Sequence, residues 1–290
     1  MDAEDRERFD SLTLYQRLGL RRIRRAAMKK KGEPLSAEDW PVVYAMSHSA
    51  WGSGVRRLWR TLPSSPRCGA CSAPFGGVGQ FVARPLGHRP SRKNPNICAT
   101  CVELSPPGGM MTHAGVLFAD LRGFTTRSES TGAAEMAGLL RRFYGCAERV
   151  LFPEAIIDKV VGDQVMAIYL PDVQPKLTRE QIPLLMLDHA RQLLDAVGYG
   201  SEEGPFVEVG IGMDVGEAFV GNIGERAVYD FTAIGDVVNT AARLQGCALG
   251  GEIVFSQRVG AGLDQPAGNA EMLQLKGKAE PEPAYRLRAG

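Results

Sequence analysis

The spacing of apolar positions changes several times along the chain. In LTLYQRLGLRRIRRAAMKKK (residues 12–31), Leu12, Tyr15, Ile23 and Ala27 recur at roughly helical intervals among good helix formers, which predicts a helix stopped by Gly32. A second helix is expected over Val42–Leu62, ended by the breaker run Pro63 to Pro66. Residues 67–104 lose any period. Gly, Pro and Arg crowd around CGAC and CATC there, so something other than an apolar core must hold the segment.

After the turn-rich stretch Ser105 to Met110, short apolar runs alternate with helical patterns. Ala114–Leu121 reads as a strand, and Ala133–Leu151 as a helix with a Met136, Leu139/Leu140, Phe143, Ala147 stripe. Ala155–Leu170 divides into two strands at Gly162-Asp163, a dipeptide suited to a tight hairpin. Gln181–Val197 is another helix, and Phe206–Gly224 reads as two strands around Val215-Gly216. A helix within Ala233–Leu249 and a closing strand, Glu252–Ser256, follow. The order βα, ββ, α, ββ, α, β predicts an α+β mixed sheet rather than a doubly wound one. The expected domains are a helical segment over 1–66, a four-cysteine module over 67–104 and an α+β domain over 111–290.

Length and charge refine this picture. A 290-residue chain that is 44% hydrophobic can build one sizeable domain plus a smaller module. The net charge of +1 hides an asymmetry: residues 1–110 hold 18 Lys and Arg against 9 Asp and Glu, and the remainder 16 against 24. No run approaches the roughly 18 apolar residues that span a bilayer, and the start MDAEDRERFD lacks the order of a secretory signal, so a cytoplasmic location is expected. The basic face of the 12–31 helix offers a peripheral contact with anionic lipid, although a solvated charged face explains it as well.

Candidate chemistry lies where polar residues interrupt apolar strands. Asp120 ends one such strand and Asp163 sits in the hairpin turn. Either alone is an ordinary turn former, but two carboxylates at strand ends invite a shared divalent cation. The glycine-dense VGEAFVGNIG (Val215 to Gly224) permits close backbone approach. In Thr232 to Arg243, Asn239 and Arg243 stand four residues apart, on one face of a helix.

Together, VLFADLRGFTTRSE, DKVVGDQVMAIY, VGIGMDVGEAFVGNIG, YDFTAIGDVVNTAARL, GEIVFS and LKGKAEP, spread in order from Val116 to Pro281, closely resemble the class III adenylyl and guanylyl cyclase catalytic domain. The resemblance implies a ferredoxin-like mixed sheet, paired head to tail in a homodimer with active sites at the interface. It implies Asp120 and Asp163 as ligands of two Mg²⁺ or Mn²⁺ ions per site. Lys159 and Thr232 fall at the base-reading positions, Asn239 at the ribose-orienting position, Arg243 at the transition-state position and Lys276 at a triphosphate-binding position. The lysine and threonine point to ATP as substrate. Guanylate cyclase activity and a silent nucleotide-binding module are the alternatives, although silent relatives lack a metal aspartate or the arginine and this chain keeps both. One departure stands out: Glu154-Ala155 occupies the place of the family's usual Gly-Gly pair.

Cys68, Cys71, Cys98 and Cys101 form CxxC-x26-CxxC, a four-thiolate signature for which zinc is expected, with an iron–sulfur cluster or a dithiol switch as alternatives. Cys146 and Cys247 read as small core residues. The basic Gly87–Pro95 segment lacks interleaved aromatics, so a regulatory role is expected for it rather than nucleic-acid binding.

Overall fold

The computed structural model of the chain describes residues 57–62, 66–68, 71–101, 108–124, 131–152, 154–171, 177–225, 228–263 and 270–289. The expected 12–31 helix lies outside them, as does all but the last turn of the one over 42–62. That turn, 57–61, is helical.

Eight strands form one sheet: β1 (Gly108–Leu121), β2 (Ile156–Val161), β3 (Gln164–Tyr169), β4 (Val209–Glu225), β5 (Val228–Ile234), β6 (Glu252–Ser256), β7 (Glu271–Leu273) and β8 (Glu282–Arg288). Its order is β2-β3-β1-β4-β6-β8-β7, with β5 paired to β4. β4 and β6 run parallel. The β1/β3, β2/β3, β6/β8 and β7/β8 pairs are antiparallel, giving the mixed α+β sheet expected. The helices are α1 (Gly79–Ala83), α2 (Ala133–Leu151), α3 (Ile182–Val197), α4 (Asp236–Cys247) and α5 (Gln257–Gly260).

The chain divides into two compact units: residues up to Met111 with Phe219–Thr232, and Thr112–Ala218 with Ala233–Gly290. In the second, period-2 alternation sets the layers. Val209, Ile211, Met213 and Val215 of β4, with Ile253 and Phe255 of β6, join the large core under α2 and α3. Val254, between them on β6, turns to the opposite face and packs with Leu244 of α4 and Ala284 of β8. Burying such aliphatic side chains stabilises the fold by about 1.5–3 kcal/mol each. Cys146 is part of the large core, and Cys247 packs half-buried against the smaller one.

Two expectations change. β4 runs unbroken through Val215-Gly216. Gly216 is not among the glycines with positive φ that a tight turn would use, and the Val215 N–H is held by the Asp214 carboxylate at 2.9 Å. The strand β8 was not foreseen because Pro283 and two arginines obscure it. Those arginines, Arg286 and Arg288, both pair with the buried Glu252 of β6.

In the first unit, helix α1, a 3₁₀ turn ending at Gly87 in the left-handed region and the 89–99 loop surround the cysteines. The loop closes through the Pro90↔Cys98 bridge and the Ser91 N–H to Ile97 carbonyl bond at 2.9 Å. Trp59 is buried there, edge-on to His88 at 5.3 Å between ring centroids.

Candidate active site and metal cluster

β1 ends in Asp120 and Leu121, and the ladder to β3 sets Asp120 opposite Gln164, the residue after Asp163. Gly162 makes the β2–β3 turn possible with a φ of +62, a torsion that costs glycine nothing. The Leu121 N–H donates to the Asp163 carbonyl at 3.3 Å, and the Tyr144 hydroxyl of α2 donates to the Gly162 carbonyl, fastening the turn from a second side. The carboxyls of Asp120 and Asp163 therefore share one region. Burial and then the Asp163 charge push Asp120 up to about 6, against the pull of the nearby Arg122 charge and a hydrogen bond from Gln164 at 3.3 Å. Among the described residues no lysine or arginine hydrogen-bonds to either carboxyl. Such a pair suits divalent cations, which would relieve both the desolvation and the mutual repulsion.

Asn239 and Arg243 lie one turn apart on α4, the asparagine exposed and the arginine half-buried. Gly212 lets the helix sit close to β4, since a Cβ there would lie 2.1 Å from the Gln245 nitrogen. The start of α4 is anchored by charge: Asp236 accepts from Lys278 at 3.0 Å and lies 3.5 Å from Arg258. Arg258 also forms a two-pronged pair with the fully buried Asp214, which accepts from Ser256 as well. Of the two lysines in LKGK, Lys278 is thus the structural one, whereas Lys276 is exposed. The Arg243 guanidinium reaches the same turn, 3.3 Å from where a Cβ of Gly277 would stand. Lys159 lies on β2 just after a register shift that follows Ile157, and Thr232 is buried on β5.

The structure thus brings together Asp120 with Asp163, and Arg243 with the 276–278 turn. Among the described residues no hydrogen bond or ion pair joins the aspartate pair to Asn239 or Arg243 within one chain. Sequence reasoning missed Tyr144, Asp214, Asp236, Arg258 and Lys278. Only the second lysine of LKGK carried a local signal, through its i,i+4 spacing to Glu282.

In the first unit the sulfurs of Cys68, Cys71, Cys98 and Cys101 all lie within 4.8 Å of one another, and none is in a disulfide. The Cys71–Cys98 and Cys98–Cys101 separations are 3.6 and 3.4 Å. Zn–S bonds of about 2.3 Å in a tetrahedron give edges of about 3.8 Å, so the group has the shape of a four-thiolate metal site. The Cys71 and Cys98 N–H groups both donate to the Cys68 sulfur, at 3.4 and 3.2 Å, which favours a thiolate. Hydrogen bonds led by that from Cys101 hold Cys71 well below the usual thiol range, and those neighbours, led by Cys68, hold Cys101 well above it. His88 flanks the cluster, its Nδ1 at 3.4 Å from the Cys98 sulfur.

The curated relatives include an adenylate cyclase of Anabaena cylindrica, 28% identical over 184 residues, covering 60% of this chain and 36% of that protein. An uncharacterised Mycobacterium tuberculosis protein is 30% identical over 167 residues, covering 57% of this chain and 28% of its own length. The chain therefore spans about a third or less of the length of these relatives. Among solved structures, the guanylyl cyclase Cya2 is 25% identical with a TM-score of 0.54, covering 62% of this chain and 93% of that one. The adenylyl cyclase CyaB from P. aeruginosa is likewise 25% identical with a TM-score of 0.55, covering 61% and 94%. No helix among the described residues is long and apolar enough to cross a membrane. The profile of the adenylate and guanylate cyclase catalytic domain matches residues 109–287, more than half of the chain, and the chain belongs to that family.

Proposed function

We propose that the protein is an adenylate cyclase, converting ATP to 3′,5′-cyclic AMP and pyrophosphate at the interface of a homodimer. The observation that carries this reading is the Asp120–Asp163 pair, two carboxyls held together at a strand end with Asp120 raised to about 6 and no side-chain cation bonded to either among the described residues. They would hold two Mg²⁺ or Mn²⁺ ions. When bound, such ions lower the pKa of the ribose 3′-hydroxyl and neutralise the triphosphate. Asn239 of the partner subunit orients the ribose so that the 3′-oxygen stands in line with the α-phosphorus. Arg243 of the partner subunit donates to the phosphoryl oxygens as charge builds on them, a task for which a planar guanidinium suits better than an ammonium. Lys276, exposed on its turn, is free to meet the triphosphate tail.

Lys159 and Thr232 read the base. An ammonium and a hydroxyl meet the ring-nitrogen acceptors and the exocyclic amino donor of adenine, and the hydroxyl leaves room for GTP because it both donates and accepts. The four-cysteine cluster holds zinc, which folds a segment that has little core of its own. Residues 1–66, 67–104 and 111–290 act respectively as a leading segment, a regulatory module and the catalytic domain.

The deciding experiment gives the purified protein Mg²⁺ or Mn²⁺ with ATP and GTP separately and measures cyclic product. Cyclic AMP formation is expected, cyclic GTP as main product would reverse the substrate, and no product from either would end the enzyme reading. Asp120→Ala and Asn239→Ala proteins, each inactive, should recover roughly a quarter of wild-type activity when mixed, since half the random dimers carry one intact site of two.

A further inference from the structure

The basic 87–95 segment between the cysteine pairs is tied to the catalytic sequence by one side chain. Lys93 is mostly buried, 13% exposed, and its ammonium donates at 2.7 Å to the main-chain carbonyl of Phe231. The same nitrogen lies 2.7 Å from the carboxylate of Asp230, which is half-exposed. Both partners belong to β5, and Thr232 is the next residue. The ammonium thus fixes the backbone immediately before a base-reading position, inside the unit that holds the cysteines.

The loop carrying Lys93 is closed by hydrogen bonds that end at the cluster. The Lys93 N–H donates to the Ser91 hydroxyl oxygen at 3.0 Å, and the Ser91 N–H to the Ile97 carbonyl. The Asn96 N–H donates to the Asn94 side chain at 2.8 Å, closing the tip. At the base of the loop, Pro90 bridges Cys98 and the Ala99 N–H donates to the Arg89 carbonyl at 2.8 Å. Cys98 is one of the four sulfur ligands and sits centrally among them, close to both Cys71 and Cys101. A metal that fixes Cys98 fixes the loop base, and the loop sets the reach of Lys93. Without the metal, buried sulfurs must share protons instead of a cation, and the loop base loses its anchor.

We propose that Lys93 is a positioning residue for the base-reading strand, through which metal occupancy of the four-cysteine cluster sets how the enzyme selects its nucleotide. The proposal rests on the cyclase reading for the role of Thr232, but the mechanical link from Cys98 to Phe231 stands independently of it. A lysine used in this way is an internal strut rather than part of a nucleic-acid surface. Hydrogen bonds involving charged groups are among the stronger ones in proteins, so losing this one should be visible as about a tenfold effect or more.

The test uses the full chain with zinc retained, comparing Lys93→Met and Lys93→Arg with wild type. Four readouts are taken: zinc content, melting temperature, kcat and KM for ATP and GTP, and hydrogen exchange in peptides covering residues 228–234. For Lys93→Met, full zinc content, faster exchange in 228–234, and an ATP-to-GTP preference changed about tenfold, chiefly through KM, are expected. Lys93→Arg, whose guanidinium can reach the same carbonyl and carboxylate, should restore the preference to within about threefold. Stripping zinc from wild type with a zinc-selective chelator in excess Mg²⁺ should reproduce the faster exchange in 228–234. Unchanged exchange there, in both Lys93→Met and the stripped protein, would overturn the link. Unchanged KM and preference in Lys93→Met, with wild type active, would overturn the selectivity role and leave the cyclase reading intact. Wild type inactive on both nucleotides would remove the cyclase reading and the selectivity role, and the exchange data would still decide the strut.

Discussion

The sheet carries two groups of carboxylates with opposite treatment. At the edge of β4 and α4, Asp214 and Asp236 are met by Arg258 and Lys278, and every charge is answered within the chain. At the end of β1, Asp120 and Asp163 repel each other, and at Asp120 the Arg122 charge and one amide hydrogen bond from Gln164 offset this only in part. Lysine opposite Asp236 holds that carboxyl below its usual range, whereas burial and a like charge lift Asp120. On the proposed reading the contrast separates structure from function: a carboxylate paired by the chain's own cation holds the fold, and one offset only in part would keep room for a cation from outside.

Substitutions at the two groups should therefore fail differently. The largest effect is expected from Asp163→Ala, with cyclic product falling by at least about a thousandfold in steady-state assays while the melting temperature holds, because the change removes a cation ligand and no structural partner. Asp214→Ala should do the reverse in kind. Removing the buried member of the Arg258 pair strands a guanidinium and the Ser256 hydroxyl, and denaturant unfolding should show a loss of about 3 kcal/mol. If both variants lost stability alike, the distinction between the groups would collapse.

A smaller effect tests how the helix bearing Asn239 and Arg243 is seated. Gly212→Ala forces a methyl against the Gln245 nitrogen and the Ala241 carbonyl, 2.1 and 2.4 Å from the ideal Cβ. It should cost about 1–3 kcal/mol and lower kcat more than it raises KM. Equal kcat with a shifted melting temperature would show that α4 tolerates displacement.

The smallest effect has the opposite sign. Asp120 titrates near 6 in the fold against 3.8 ordinarily, so between those values the folded state binds more protons than the unfolded one. Stability of the metal-free protein then falls as pH rises through that window. The full shift would amount to about 3 kcal/mol, which solvent screening of this half-exposed group reduces to about 1 kcal/mol. Asp120→Asn, inactive, should thus be more stable than wild type by about 1 kcal/mol at pH 7 to 8 in chelator, and equal to it below about pH 4. A uniform difference across pH would mean that charge is not the cause.

Local signals carried the sequence reading a long way. The α2 stripe gave both ends of that helix, and Gly162-Asp163 gave the hairpin, because a positive φ and an apolar period are properties of neighbours in the chain. The turn expected at Val215-Gly216 failed because Gly216 has no positive φ and continues the strand, and a Cβ there would meet Val237 only at an ordinary 3.7 Å. The pairing of Arg258 with Asp214 and of Lys278 with Asp236 stayed invisible for a different reason. The partners lie about 40 residues apart, and nothing in a charged side chain's immediate context announces a distant counter-ion. Lys93 is the extreme case, 138 residues from the carbonyl it holds.

On the proposed reading, the pair at the end of β1 would also couple mineral supply to endurance. A bound divalent ion returns as stability the repulsion that the empty site stores, and returns more as its concentration rises above the dissociation constant. Resistance to heat would then be a gauge of how well the cell is stocked with magnesium or manganese, readable before any nucleotide arrives.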